Sequence, residues 1–144
     1  MRLWMRLRAI AIGGLLCGLL AGCATEVGPS AAELKARWES ENIFPQYYKN
    51  DLLAFLRTYL NDPEKVRAAQ VSQPIRKTVG PGERFVACVR YRARTDGKYG
   101  AAKDGAATFV SGKLDRFYDL AAEVLALCKD VPLEPFPELE KLTR

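Results

Sequence analysis

The sequence contains no histidine, and this absence removes several kinds of active site at once. Without an imidazole the chain cannot form a Ser-His or Cys-His dyad, and it lacks the usual general base near neutral pH. Most zinc sites are excluded for the same reason. No glycine-rich phosphate loop of nucleotide-binding type and no internal repeat occurs either. We therefore expect no metal, no cofactor and no catalytic residue.

Acidic residues are missing from the first 25 positions. Arg2, Arg6 and Arg8 are followed by an uncharged run from Ala9 to Ala21. As a helix this run would rise only about 20 Å, whereas the hydrocarbon core of a bilayer is roughly 30 Å thick. A short apolar run after a basic segment predicts a secretory signal peptide rather than a membrane-spanning helix.

The end of this run, Leu20-Ala21-Gly22-Cys23, resembles the lipobox of bacterial lipoproteins. The resemblance implies that residues 1–22 are a signal peptide, that the chain is cut before Cys23, and that this cysteine is acylated, typically with palmitate. The mature protein would then be anchored at the periplasmic face of a bacterial membrane. Because Ala24 stands where inner-membrane lipoproteins often have aspartate, the outer membrane is the expected location.

Removing the signal peptide lowers the net charge of the chain. The whole chain has 22 basic and 17 acidic residues, but three of the arginines lie in the signal, which leaves 19 basic and 17 acidic residues. A net charge of +2 gives no reason to expect a nucleic-acid partner. The remaining length suits one domain and is too short for two.

The mature chain reads as a tether followed by one α+β domain. Residues 23–44 form the tether, with a possible short helix over Ala31–Ser40 that starts at a capping box. Residues 45–144 form the domain, whose first helix lies within Pro45–Leu60 and carries an apolar stripe. Its start is left open between a first turn at Pro45 and a cap at Asn50.

Period-two patterns then predict strands over Ala68–Lys77 and Arg84–Arg94 and a hairpin from Ala106 to Tyr118. Pro74 marks an edge or a bulge, and Gly80-Pro81-Gly82 predicts a type II turn with positive φ at Gly82. A loop from Asp96-Gly97 to Asp104-Gly105 separates the strands. Asp119 is expected to cap a helix over Leu120–Lys129, and the proline-containing remainder is expected to wrap the surface and to end in a single turn of helix.

The predicted fold is therefore a helix, a three- to four-stranded antiparallel sheet and a C-terminal helix. It resembles small helix-plus-sheet domains of predicted envelope lipoproteins without assigned function, and this resemblance implies a fold but no activity. The features that carry it are Asn50-Asp51, Asp62-Pro63, the Cys88 strand, the Gly97–Gly100 loop and Phe136-Pro137-Glu138-Leu139-Glu140.

Only two cysteines, Cys88 and Cys128, remain once Cys17 leaves with the signal and Cys23 carries the anchor. An even pair in an oxidising compartment predicts a disulfide, which requires the C-terminal helix to cover the Cys88 face of its strand. The competing interpretation is a redox-active or metal-binding pair, but no C-x-x-C motif and no second ligand cluster accompany these cysteines.

Alternation places Arg90, Arg92 and Arg94 on one strand face, with Lys98 just beyond. Guanidinium groups in a row suit phosphates or carboxylates, such as those of lipopolysaccharide or peptidoglycan. The alternative is a solvated face whose arginines pair with nearby aspartates.

Three functions follow: a non-enzymatic envelope lipoprotein that scaffolds or accompanies a protein assembly, a module that binds an anionic envelope polymer through the arginine row, and a hydrolase without histidine. The last would use carboxylates from the set Asp96, Asp104, Asp115 and Asp119.

Overall fold

A computed structural model describes residues 28–143 as a mixed α+β domain. The predicted signal peptide and the acylation of Cys23 lie outside the described residues. The described helices are α1 Ala31–Ser40, α2 Tyr48–Tyr59, α3 Ala121–Cys128 and α4 Pro137–Glu140. The described strands are β1 Arg67–Val71, β2 Ile75–Val79, β3 Gly82–Arg92, β4 Arg94–Thr95, β5 Lys98–Tyr99, β6 Lys103–Val110, β7 Lys113–Tyr118 and β8 Glu134–Pro135.

The main sheet is antiparallel, with the order β7-β6-β3-β1-β8 and with β2 paired to β3 beside β1. The strands β4 and β5 form a separate two-stranded sheet. The fold class predicted from the sequence is confirmed. The main sheet is wider than predicted because the C-terminal segment and both halves of the first predicted strand join it.

The helix α2 packs its predicted stripe against one face of the sheet. Leu52 and Leu56 have no exposed surface, and they share a core cluster with Ala87, Val89 and Tyr91 of β3. The helix begins differently from either proposal, because its N-cap is Tyr47, and the carbonyl of Pro45 accepts a hydrogen bond from the Tyr48 amide.

The opposite face of β3 forms a second, smaller core. Val86, Cys88 and Ala106 are buried there. Leu127 and Cys128, at the C-terminal end of α3, pack on them. The two-face alternation predicted for β3 is therefore confirmed. The sheet has α2 on one side and α3 on the other.

The helix α1 is fastened to the hairpin of β2 and β3, although none of its residues is buried. Its capping box is present, with the Ser30 hydroxyl accepting from the Glu33 amide. The indole N–H of Trp38 donates to the Glu83 carbonyl over 2.9 Å, and the Trp38 ring covers the buried guanidinium of Arg84. The helix predicted within the tether thus contacts the domain directly.

The first predicted strand is divided at the proline. β1 pairs with the second half of β3, as Val71 with Val89, whereas β2 pairs with the first half, as Ile75 with Val86. Between the two halves, the Cys88 amide donates to the Ser72 hydroxyl. Pro74 therefore marks an irregularity, as predicted.

Two turns differ from their sequence-based predictions. The positive φ at the β2–β3 turn belongs to Gly80, with φ of 63°, and not to Gly82, so the type II prediction is wrong. Glycine at the first central position is typical of a type II′ turn, which suits a two-residue hairpin. Asp96 and Gly97 both have positive φ and close the β4–β5 hairpin, where an open loop was expected.

The C-terminal segment completes the main core instead of wrapping the surface. β8 pairs with β1, and Phe136 and Leu139 have no exposed surface. The prediction that this segment wraps the surface is wrong, because its aromatic and aliphatic side chains are buried although they follow no regular period. The single helical turn expected at the end is confirmed as α4.

Candidate functional site

The disulfide between Cys88 and Cys128 is present, with Cα atoms 5.8 Å apart. This confirms the predicted pairing and the predicted position of the C-terminal helix. Cys88 is buried in the sheet, whereas Val124 is the one buried residue of α3. The covalent bond therefore supplies a large part of what holds α3 on the sheet.

An open groove of about 880 Å³ lies beside α3, and we call it the α3 groove. One wall is the face of α3 formed by Ala121, Val124, Leu125 and Cys128, which repeat at helical spacing. On the sheet side, Arg90 and Asp104 line the groove. Their bidentate pair has Nε–Oδ1 and Nη2–Oδ2 distances of 2.6 and 3.0 Å.

Asp119 and Tyr59 also line the α3 groove. Asp119 does not cap α3, whose N-cap is Leu120 without a side-chain hydrogen bond, and that prediction is wrong. Its carboxylate instead accepts a hydrogen bond from the Tyr59 hydroxyl. This bond raises the pKa of Tyr59 to about 12, with smaller contributions from burial and from the charge of Asp119.

The exposed surface of α3 is mostly apolar, with Glu123 as its one exposed charged residue. Leu120 and Leu125 are 64% and 65% exposed, and Ala121, Ala122 and Ala126 are also exposed. Isolated exposed leucines are common on protein surfaces, but several apolar residues along one short helix, next to an open groove, form a patch. The patch lies on the side of the sheet that carries the disulfide, because α3 contains Cys128.

The predicted arginine row does not act as one unit. Arg90 is paired with Asp104, while the Arg92 Nε donates to the Gly100 carbonyl over 3.0 Å. Arg94 belongs to β4, donates to the Gly97 carbonyl over 3.2 Å, and lines a separate cleft of about 230 Å³ with residues of the α2 end. Lys98 is exposed on β5.

The sequence did not indicate one further arginine. Arg67 lies opposite Arg92 in the β1–β3 register, beyond an irregularity between Arg67 and Gln70. Its guanidinium carbon lies 4.3 Å from the centre of the Tyr99 ring. No sequence signal could have found this neighbour, because the register depends on the irregularity in β1.

In residues 28–143, no group of three or more Cys, Asp or Glu side chains is placed to hold a metal ion. Within the same range, no helix has the length and apolar character needed to cross a membrane. No protein-family model, curated protein or solved structure matches this chain.

Proposed function

We propose that this protein is a non-enzymatic cell-envelope lipoprotein that docks a partner protein through α3. Acylated Cys23 would hold it at the periplasmic face of a bacterial membrane, with the outer membrane as the expected location. The lipobox Leu20-Ala21-Gly22-Cys23 supports the anchor. The observation that carries the docking role is the exposed apolar surface of α3 beside the α3 groove.

The docking role has a reasonable energetic basis. Burying a leucine side chain completely is worth about 1.5–3 kcal/mol, and about two-thirds of Leu120 and Leu125 is still exposed. A partner that covers both would gain about 3 kcal/mol, roughly a hundredfold in affinity. The disulfide favours this use, because a helix with one buried residue is otherwise poorly fixed for presenting a surface.

The side chains of the α3 groove support a binding role over a catalytic one. Its carboxylates at positions 104 and 119 are already engaged, the first by Arg90 and the second by the Tyr59 hydroxyl. A hydrolase that used these two groups would first have to break both contacts. The hydrolase hypothesis therefore receives no support from this arrangement.

The anchor is tested by metabolic labelling with palmitate in cells that express the full-length chain. The wild type should incorporate label and sediment with membranes, while Cys23→Ala should lose both properties. Because the domain lies outside the lipobox, Cys23→Ala should retain the wild-type melting temperature. Equal labelling of wild type and variant would contradict the anchor.

The docking surface is tested by a photo-crosslinking amino acid placed at Leu125 in the anchored protein. Position 125 should give one defined adduct that contains an envelope protein, identified by mass spectrometry. Position 57 is the control, because Arg57 is exposed on α2 across the sheet and should give no such adduct.

The identified protein is then purified for a direct binding measurement. Leu125→Ser should weaken its binding about tenfold. The same substitution should leave the melting temperature within a few degrees, since the side chain is mostly exposed. Equal affinity for wild type and Leu125→Ser would contradict docking through α3.

A further inference from the structure

We propose that Arg67 and Arg92 form a binding site for a phosphate group, and we call it the guanidinium pair. This inference concerns the sheet surface formed by β1 and β3 and does not depend on the lipid anchor or on docking through α3. It differs from the arginine row predicted from the sequence, since it adds Arg67 and omits Arg94 and Lys98.

The guanidinium pair places two like charges directly opposite each other. Arg67 and Arg92 are register partners on antiparallel strands, where facing Cβ atoms are about 4.5–5.5 Å apart. Like charges at such positions are destabilising. Neither arginine forms an ion pair with any residue in the described part of the chain, so a bound anion would relieve this repulsion.

Each guanidinium is already oriented by one contact. Arg67 stacks on the Tyr99 ring, whose hydroxyl donates to the Lys65 carbonyl, while Arg92 uses its Nε–H on the Gly100 carbonyl. The terminal nitrogens of both arginines have no hydrogen-bond partner among residues 28–143. An anion would therefore meet partly ordered donors, and less side-chain entropy would be lost when it binds.

The backbone that places Arg67 is irregular on both sides. Lys65 and Ala68 have φ of 60° and 50°, in the left-handed region that non-glycine residues rarely adopt. The irregularity between Arg67 and Gln70 is of the kind that re-aims a side chain in a sheet. Two unfavourable conformations thus accompany the position of Arg67 opposite Arg92.

The chemistry of the pair favours a phosphate over a carboxylate. Two planar forks can each engage a pair of phosphate oxygens, whereas a carboxylate offers one pair of oxygens to one fork. Arg90 adds positive field two residues along β3, although Asp104 balances most of its charge. The source of the phosphate can be the free ion or a sugar phosphate of an envelope glycolipid.

The test is a calorimetric titration of the full-length chain in detergent micelles with inorganic phosphate. We expect binding in the millimolar range that weakens several-fold between 50 and 200 mM sodium chloride. Arg67→Gln and Arg92→Gln should each weaken it about tenfold or more. Arg57→Gln, an exposed arginine on α2, is the matched control and should bind like the wild type.

A stability readout accompanies the titration. Removing one of two facing like charges should leave the melting temperature unchanged or raise it, and that result would show that a loss of binding by Arg67→Gln is not caused by unfolding. If Arg67→Gln and Arg92→Gln bind phosphate like the wild type, or if Arg57→Gln weakens binding equally, the guanidinium pair is overturned as a site.

Two further probes identify the ligand class. Tighter binding of N-acetylglucosamine 1-phosphate than of inorganic phosphate, lost in Arg67→Gln, would support a sugar phosphate as the natural source. Binding of inorganic phosphate alone would support the free ion. Acetate that binds as tightly as phosphate would overturn the assignment to phosphate.

Discussion

Reduction of the Cys88–Cys128 bond should release α3 from the sheet before the rest of the domain unfolds. An isolated helix of eight residues is unstable in water. The packing of α3 depends on Val124 and on the partly buried Leu127, which together supply about 3 kcal/mol. This packing is small for a helix that cannot persist by itself, so without the covalent bond the helix should undock.

The disulfide also constrains the unfolded chain. Its cysteines are 40 residues apart, and closing a loop of that length lowers the entropy of the unfolded state by an amount worth about 4 kcal/mol. The free energy of unfolding should therefore fall by up to about 4 kcal/mol on reduction, which is about 16 °C in melting temperature for a domain of this size.

Hydrogen exchange followed by mass spectrometry separates the two effects. A peptide that covers residues 120–131 should lose protection on reduction under native conditions, whereas α2 peptides should keep theirs. The double variant Cys88→Ala/Cys128→Ala should behave like the reduced protein without reductant. If α3 stays as protected in the reduced protein as in the oxidised one, the argument that the bond holds this helix is refuted.

Three further substitutions test other parts of the structure. Gly105→Ala would place a Cβ 2.2 Å from the Cζ atom of Phe117, so urea unfolding should show a loss of about 1–3 kcal/mol, while Gly100→Ala, with no atom within 4 Å, serves as control. The hydrogen bond to Asp119 raises the pKa of Tyr59 to about 12, so the stability that the bond contributes is fully present below pH 10 and is lost as the pH rises through 12. In Tyr59→Phe the melting temperature should therefore fall less between pH 10 and pH 12 than in the wild type. An equal fall in both proteins would contradict the bond. Ser111 has φ of 50° in the β6–β7 turn, so Ser111→Asn should raise the free energy of unfolding by about 0.5 kcal/mol, and a decrease would contradict the turn geometry.

The parts of the fold that the sequence predicts are those with a local cause. The stripe of α2 and the alternation of β3 each follow from a period that any half-buried helix or strand must show. The disulfide follows from the count of cysteines that remain if Cys17 leaves with the predicted signal peptide and Cys23 carries the predicted anchor. Each of these features needs no knowledge of which strands are neighbours.

The parts that the sequence does not predict depend on register. The pairing of Arg90 with Asp104 and the position of Arg67 opposite Arg92 arise only once β6 and β1 lie beside β3. The left-handed φ of Ala68 could not be predicted, because an alanine in the sequence gives no indication of that conformation. The burial of Phe136 was missed because prolines interrupt any period around it, so the segment resembles a surface loop.

The position of β8 and α4 has a kinetic consequence. Phe136 and Leu139 fill the main core, and β8 pairs with β1, more than 60 residues earlier in the chain. The ribosome must therefore deliver residue 139 before the core can close, and contacts between such distant segments form slowly. Until then a nascent chain exposes the apolar stripe of α2. Such a chain is prone to aggregation, so the interval between the synthesis of α2 and the synthesis of α4 is the stage at which misassembly would begin.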